Sequence, residues 1–315
     1  MRPIRLRDFI VDKDGWIYSV AAYDNAERVG GILRYIPDPS GERSTATGER
    51  YRKLEFEEAY DLIRKAKPGY LDRIHRVPMS DVMAVKKPEE ELPRIAARDP
   101  RVRSLVRLFA LPAGSLGCTG SRLLGLEAEH SDIDLVVYGD AFPAACERLR
   151  SAIAAGEVQD LSEEMWRTVY NKRRPELPFD EFVLHEKRKW NRGEIAGTYF
   201  DLLYTRSYDD LDSVPVGQGQ VLGTGTVEAV VTDASYAFDS PAVYRVRHPK
   251  ISCILSFTHT YSGQALSGEV VEARGVCERH GREIWLVVGT TRTAKGEWIR
   301  SRTLREAQGG TATLR

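Results

Sequence analysis

The 315-residue chain has only four cysteines, Cys118, Cys146, Cys253 and Cys277, and no two of them form a Cys-x-x-Cys pair. That scarcity excludes a cysteine-rich zinc ribbon and a disulfide scaffold, and predicts reduced thiols in a cytoplasmic protein. No run of eighteen apolar residues occurs, so no membrane-spanning helix is expected. The opening Met-Arg-Pro-Ile-Arg-Leu-Arg-Asp is basic but has no apolar run behind it, which argues against an export signal. Net charge is lacking as well, because 46 basic residues balance 46 acidic ones. A polyanionic partner would have to be held by a local patch rather than by global attraction. There is no fixed-period repeat and no low-complexity tract, so a solenoid is excluded.

The chemistry is concentrated in one stretch, from Thr119-Gly120-Ser121 to Asp132-Ile-Asp134-Leu-Val-Val-Tyr138-Gly139. Residues 133–137 are all Val, Ile, Leu or Asp and are closed by Gly139-Asp140, which predicts a largely buried strand. Strand side chains alternate, so Asp132 and Asp134 share one face while Ile133, Leu135 and Val137 take the other. Two carboxylates side by side disfavour each other's charged form unless a cation is present. Mg²⁺ suits such a pair, because it takes one or two carboxylates and completes its shell with water and substrate phosphates. Ten residues lie between Ser121 and Asp132, and Gly120 allows backbone amides to approach an anion. A second pair, Gly114-Ser115, stands sixteen residues before Asp132.

Glycine-serine, a ten-residue spacer and Asp-Ile-Asp-Leu resembles the signature of the polymerase-β-like nucleotidyltransferase superfamily. The match consists of Gly120, Ser121, Asp132 and Asp134. The resemblance implies a third carboxylate on a neighbouring strand, and Asp201 in Thr198-Tyr-Phe-Asp201-Leu-Leu-Tyr204 is the candidate. An acid inside an apolar, aromatic strand is unusual unless it is paired or bound to metal. A salt bridge to a nearby Arg or Lys is the alternative. By resemblance, Asp132, Asp134 and Asp201 form the catalytic and metal-binding set for two Mg²⁺ ions, with Mn²⁺ as a substitute, and the substrate is a nucleoside triphosphate such as ATP. Gly120, Ser121 and Arg122 would hold phosphates, and Lys187, Arg188 or Arg192 would offset developing charge.

Between the Asp-Ile-Asp strand and Asp201 lies a basic, aromatic region with Trp166, Arg167, Tyr170, Lys172, Arg173 and Arg174, then Lys187, Arg188, Lys189, Trp190 and Arg192. It reads equally as a triphosphate or single-stranded nucleic-acid surface and as a helical face paired with Glu163, Glu164, Glu181 and Glu186. His185 has no second ligand at metal spacing and reads as structural. The patch makes an RNA end the first candidate acceptor. A protein side chain or a small metabolite is the alternative, and a nucleotide-binding interaction module with little turnover is the competing class.

The fold expected is α+β in three parts. Residues 1–92 are an N-terminal module with a hairpin at 9–20, a strand at 31–36, a mobile loop at 40–50 and a helix through Phe56, Ala59, Tyr60 and Ile63. The charged run Lys86-Lys-Pro-Glu-Glu-Glu91 marks a linker. Residues 93–213 are the nucleotidyltransferase-like core. Residues 214–315 carry about five short β-branched runs with glycine turns, as in a small β-barrel like an OB-fold. This plan resembles archaeal predicted nucleotidyltransferases of undetermined substrate.

Overall fold

The computed structural model describes residues 2–214, 217–291 and 294–312. It is an α+β fold that divides into two compact units, Met1–Asp160 with Asn191–Val214, and Leu161–Trp190 with Pro215–Arg315. Among the described residues, no helix is long and apolar enough to cross a membrane.

The first unit opens with the expected hairpin, β1 (Phe9–Asp12) and β2 (Ile17–Val20). Asp12 Oδ1 accepts the N–H groups of Asp14 and Trp16 and so closes the turn with its own side chain. β3 (Arg28–Pro37) follows, then β4 (Arg43–Ser44), β5 (Arg50–Lys53), α1 (Phe56–Ala66), β6 (His75–Pro78) and β7 (Val82–Lys86). The sheet order is β4-β5-β3-β2-β1-β7, with β6 also on β3. The stretch expected as a mobile loop is instead the β4–β5 hairpin. Its polar residues make turn bonds, Gly48 N–H to the Thr45 carbonyl at 3.0 Å and Thr45 N–H to the Glu49 carbonyl at 2.9 Å. Ile10, Tyr18 and Leu33 face α1, packing on Ala59 and Ile63.

The charged run at 86–91 is no linker. β7 passes through Lys87 directly into α2 (Pro88–Arg98). Lys87 is buried with its Nζ 2.7 Å from Asp8, and buried Arg5 pairs with Glu89 at 2.9 Å. The Arg5 guanidinium lies 3.6 Å and 3.8 Å from the ring centres of Tyr138 and Tyr208. A buried charge requires a partner, and these partners come from both sides of the expected boundary at residue 92. That boundary therefore lies inside one unit.

The rest of the first unit comprises α3 (Pro100–Phe109), β8 (Leu116–Cys118), α4 (Gly120–Leu124), β9 (Ile133–Tyr138), α5 (Ala141–Ala154), β10 (Arg192–Ile195) and β11 (Thr198–Thr205). Its sheet runs β10-β11-β9-β8, with β9 and β11 parallel and the other two pairings antiparallel.

The second unit holds α6 (Glu163–Arg173), α7 (Phe179–Arg188), β12 (Gln220–Asp233), β13 (Ala242–Arg247), β14 (Cys253–Ser256), β15 (Val270–His280), β16 (Glu283–Val288), β17 (Trp298–Ser301) and α8 (Arg302–Ala312). The five expected strands are present. Their order is β12-β13-β14-β16-β15, and β12 also pairs with β15, so the pairing closes on itself. β14 and β16 are parallel. The hairpin expected at His280-Gly281 joins β15 to β16, and Gly281 supplies the left-handed φ of +63°.

Residues 161–190, expected in the central domain, belong to this second unit because their partners do. Arg188 Nη1 lies 2.6 Å from Glu269, and Arg300 lies 3.9 Å from Glu181. His185 is structural here, as its isolation in the sequence implied. It is fully buried, with Nδ1 bonded to the Glu181 carbonyl at 2.8 Å and Nε2 accepting the Ser301 N–H at 2.9 Å. Both nitrogens are used by the neutral ring, and burial pulls its pKa from 6.5 to about 4. An unfolded chain takes up this proton below about pH 6.5 and the folded one only near 4. The stabilisation is therefore complete above pH 6.5 and is lost as pH falls to 4, with a slope of about 1.4 kcal/mol per pH unit. We expect His185→Gln to flatten the pH dependence of the urea midpoint between pH 6.5 and 4 by about one proton relative to the parent protein. Equal slopes would refute this account.

Candidate functional site

β8 leads into the glycine-serine turn. Thr119 fixes it at both ends: its N–H donates to the Asp134 carbonyl at 2.9 Å and its hydroxyl to the Arg7 carbonyl at 2.8 Å. Gly120 then adopts φ +70° and starts α4. A Cβ added there would stand 2.6 Å from Oδ2 of Asp134, so the carboxylate lies against the bare Cα. The other pair, Gly114-Ser115, precedes β8, and a Cβ on Gly114 would meet nothing within 4 Å. Of the two pairs, Gly120-Ser121 is the one beside an acid.

Asp134 is half-buried on β9, and Asp201 is buried on β11. The two strands are parallel and the two acids are register partners. Asp132 stands just before β9 and is exposed. On the far side of β11, Arg192 is the register partner of Asp201, its Nε 2.9 Å from Oδ1. The three side chains Asp134, Asp201 and Arg192 thus form one row across three strands. The approach of Arg192 to Asp201 is an ionic contact rather than a well-directed hydrogen bond. The salt-bridge alternative for Asp201 is therefore real, and it coexists with the neighbouring carboxylate.

Arg122, expected at the phosphates, is buried. Its Nη1 lies 2.9 Å from Asp99 and its Nη2 donates to the Ser131 carbonyl at 2.7 Å. It ties the loop before β9 to the N-cap of α3, where the Asp99 side chain accepts the Arg101 N–H at 2.9 Å. Burial would push the Asp99 carboxyl up, but hydrogen bonds from Arg101 and the charge of Arg122 outweigh it and hold it below the usual range. Arg122 positions the acidic strand and does not reach toward a ligand. Arg188 is occupied inside the second unit, between Glu269 and the Gln264 carbonyl at 2.7 Å. Lys187 is exposed on α7 in that same unit.

The basic, aromatic region is partly paired within the unit, while Arg167, Lys172, Arg174 and Lys187 are exposed. Arg167 pairs with Glu163 one turn away at 2.6 Å, Arg173 with Glu186 at 3.3 Å, and Lys189 with Glu186. Trp166 is buried, and the Tyr170 hydroxyl donates to the Leu177 carbonyl at 2.8 Å. Arg167, Arg173 and Lys189 are thus part of a paired helical face, and Lys172, Arg174 and Lys187 lie on its exposed side.

The sequence offered no sign that the N-terminal sheet reaches the site. Phe9, Ile17 and Tyr35, on the face opposite α1, pack on Leu123 of the glycine-serine helix and on Leu126 just after it.

Among the described residues, no three His, Cys, Asp or Glu side chains gather closely enough to share one ion. The Asp134–Asp201 row, with Asp132 at its edge, offers the one or two carboxylates that Mg²⁺ takes when water and phosphates complete its shell. The position over Gly120, which any Cβ would fill, is taken by the Asp134 carboxylate, so glycine is what lets that acid sit against the turn.

Fold and site together define an α+β protein with a carboxylate row behind a glycine turn. The chain belongs to the family of the uncharacterized protein MJ1086 of Methanocaldococcus jannaschii, to which it is 34% identical over 336 residues, covering 94% of this chain and 98% of that protein. The overlap is too long to leave out either unit. No family model and no solved structure matches the chain.

Proposed function

We propose that the protein is a metal-dependent nucleotidyltransferase of the polymerase-β-like kind, which moves a nucleoside monophosphate from a nucleoside triphosphate to an acceptor hydroxyl. The observation that carries this reading is the register pairing of Asp134 with Asp201 on parallel strands, with Gly120 against Asp134. The order of elements supports it too: strand, glycine-serine turn, short helix, acidic strand and helix follow one another, and a later acidic strand pairs parallel with the first.

In the reaction, the acceptor oxygen bonds to the α-phosphorus, the α–β bridging P–O bond breaks and pyrophosphate leaves. Asp132, Asp134 and Asp201 would hold Mg²⁺, which when bound neutralises charge on the phosphates. Gly120 leaves room for the Asp134 carboxylate against the turn, and the Ser121 hydroxyl is a donor at the start of α4. Arg192 fixes the Asp201 carboxylate and is a positioning residue. Arg122 does the same for the loop before β9.

For the acceptor we propose an RNA end. The closed circuit of β12–β16 with β14 parallel to β16 supports an OB-like barrel, a fold that takes oligonucleotides among other ligands. The test is release of labelled pyrophosphate from the four ribonucleoside triphosphates with Mg²⁺, in the presence of RNA, protein or metabolite pools. Release with RNA alone is the expected result. Release only with the other pools would move the acceptor to a protein or a small molecule, and binding without release in every pool would favour a nucleotide-binding module.

A further inference from the structure

Two cations expected to meet the phosphates are engaged elsewhere in the first unit, Arg122 with Asp99 and Arg192 with Asp201. The N-terminal sheet carries another. Tyr18 pairs with Leu33 but Ile17 pairs with Tyr35, so Arg34 is an extra residue in β3. Such a β-bulge re-aims the side chain that follows it, and bulges of this kind recur beside functional sites. Leu33 packs with Tyr18 toward α1, whereas Tyr35 packs with Ile17 on Leu123 and Leu126, next to the Gly120 turn. With regular alternation Tyr35 would face α1 as Leu33 does.

Burial raises the Tyr35 phenol, the charges of Arg34 and Arg43 oppose it, and Asp134 raises it further, so one hydroxyl feels both Arg34 and Asp134. Arg43 is already held by the Leu126 carbonyl at 3.4 Å and by Glu42 at 3.7 Å. Arg34 has no ion-pair partner among the described residues.

We propose that the bulge in β3 makes the N-terminal sheet a wall of the carboxylate site, and that Arg34 is the cation which binds the substrate's phosphates there. The inference rests on the nucleotidyltransferase reading and names a residue for it. A guanidinium offers a planar fork that matches two phosphate oxygens, which an ammonium lacks.

The test titrates Mg²⁺ with each of the four ribonucleoside triphosphates into the whole protein by calorimetry. The parent is compared with Arg34→Gln, Arg34→Lys and Arg52→Ala, with melting midpoints recorded for all. Arg52 lies on β5 and is paired with Asp38 and Glu58, so its loss controls for a change of charge on the same sheet. Arg34→Gln keeps bulk and loses charge; it should weaken the best-bound triphosphate about tenfold or more, as the loss of a charge-assisted hydrogen bond implies. Arg34→Lys should fall between parent and Gln, and Arg52→Ala should bind as the parent does. Equal affinity of parent and Arg34→Gln overturns the role of Arg34 while the nucleotide site stands. A parent that binds none of the four overturns the nucleotidyltransferase reading, and this inference with it.

Discussion

Replacing Asp134 by asparagine should lower the rate of pyrophosphate release about a thousandfold or more while the protein stays folded. The expectation follows from where the residue stands. Asp134 is only half-buried, is in register with Asp201, and has the bare Cα of Gly120 against its Oδ2. Asparagine keeps the shape and removes the charge that would hold Mg²⁺ at the phosphates. Metal ions contribute several kcal/mol of charge stabilisation in such transfers, and about 1.4 kcal/mol is a factor of ten in rate. Asp201→Asn should abolish release as well, but it should also cost stability, because Arg192 is buried and loses its carboxylate. The comparison separates chemistry from folding: Asp134→Asn is expected to alter the rate and leave the melting midpoint nearly unchanged. Release by Asp134→Asn at the parent rate would remove that carboxylate from the mechanism.

The second large effect concerns stability and lies in the second unit. Glu186 is fully buried, and both Arg173 and Lys189 pair with it. Glu186→Gln would leave two cations, one of them as buried as the glutamate, around a neutral amide. Breaking a buried pair by removing one partner costs about 3–5 kcal/mol, a large share of the roughly 5–15 kcal/mol that holds a domain folded. The contrast is Arg167→Ala, whose exposed partner Glu163 lies one helical turn away. That loss should stay within about 0.5 kcal/mol. Urea unfolding followed by circular dichroism would measure both, and a Glu186→Gln no weaker than Arg167→Ala would sink the account. The result also bears on RNA. Variants at Arg173 or Lys189 would test folding before they tested a nucleic-acid surface.

Local pattern determined much of this protein. The apolar run at 133–137 gave the strand that carries Asp134, the β-branched runs after residue 214 gave the five strands of the second unit, and Lys67-Pro-Gly ended α1, because each depends on residues within a few positions of one another. The same locality made Gly120-Ser121 and Asp134 legible as one motif, although Gly114-Ser115 competed until the backbone put Gly120 against the carboxylate. Only tertiary structure decided which charges were committed. Arg122 meets Asp99, Lys87 meets Asp8, and Arg188 meets Glu269, in each case across a long stretch of chain. Burying a charge is tolerable only beside its partner, and the sequence does not say who the partner is. For that reason a run that looked like a linker at 86–91 is a buried junction, and several cations of the basic run, Arg173 and Lys189 among them, are committed to acids inside the unit. The bulge at Arg34 belongs to the same class. It depends on how β3 pairs with β2, and that pairing turns Tyr35 from the α1 side of the sheet to the side of the acids.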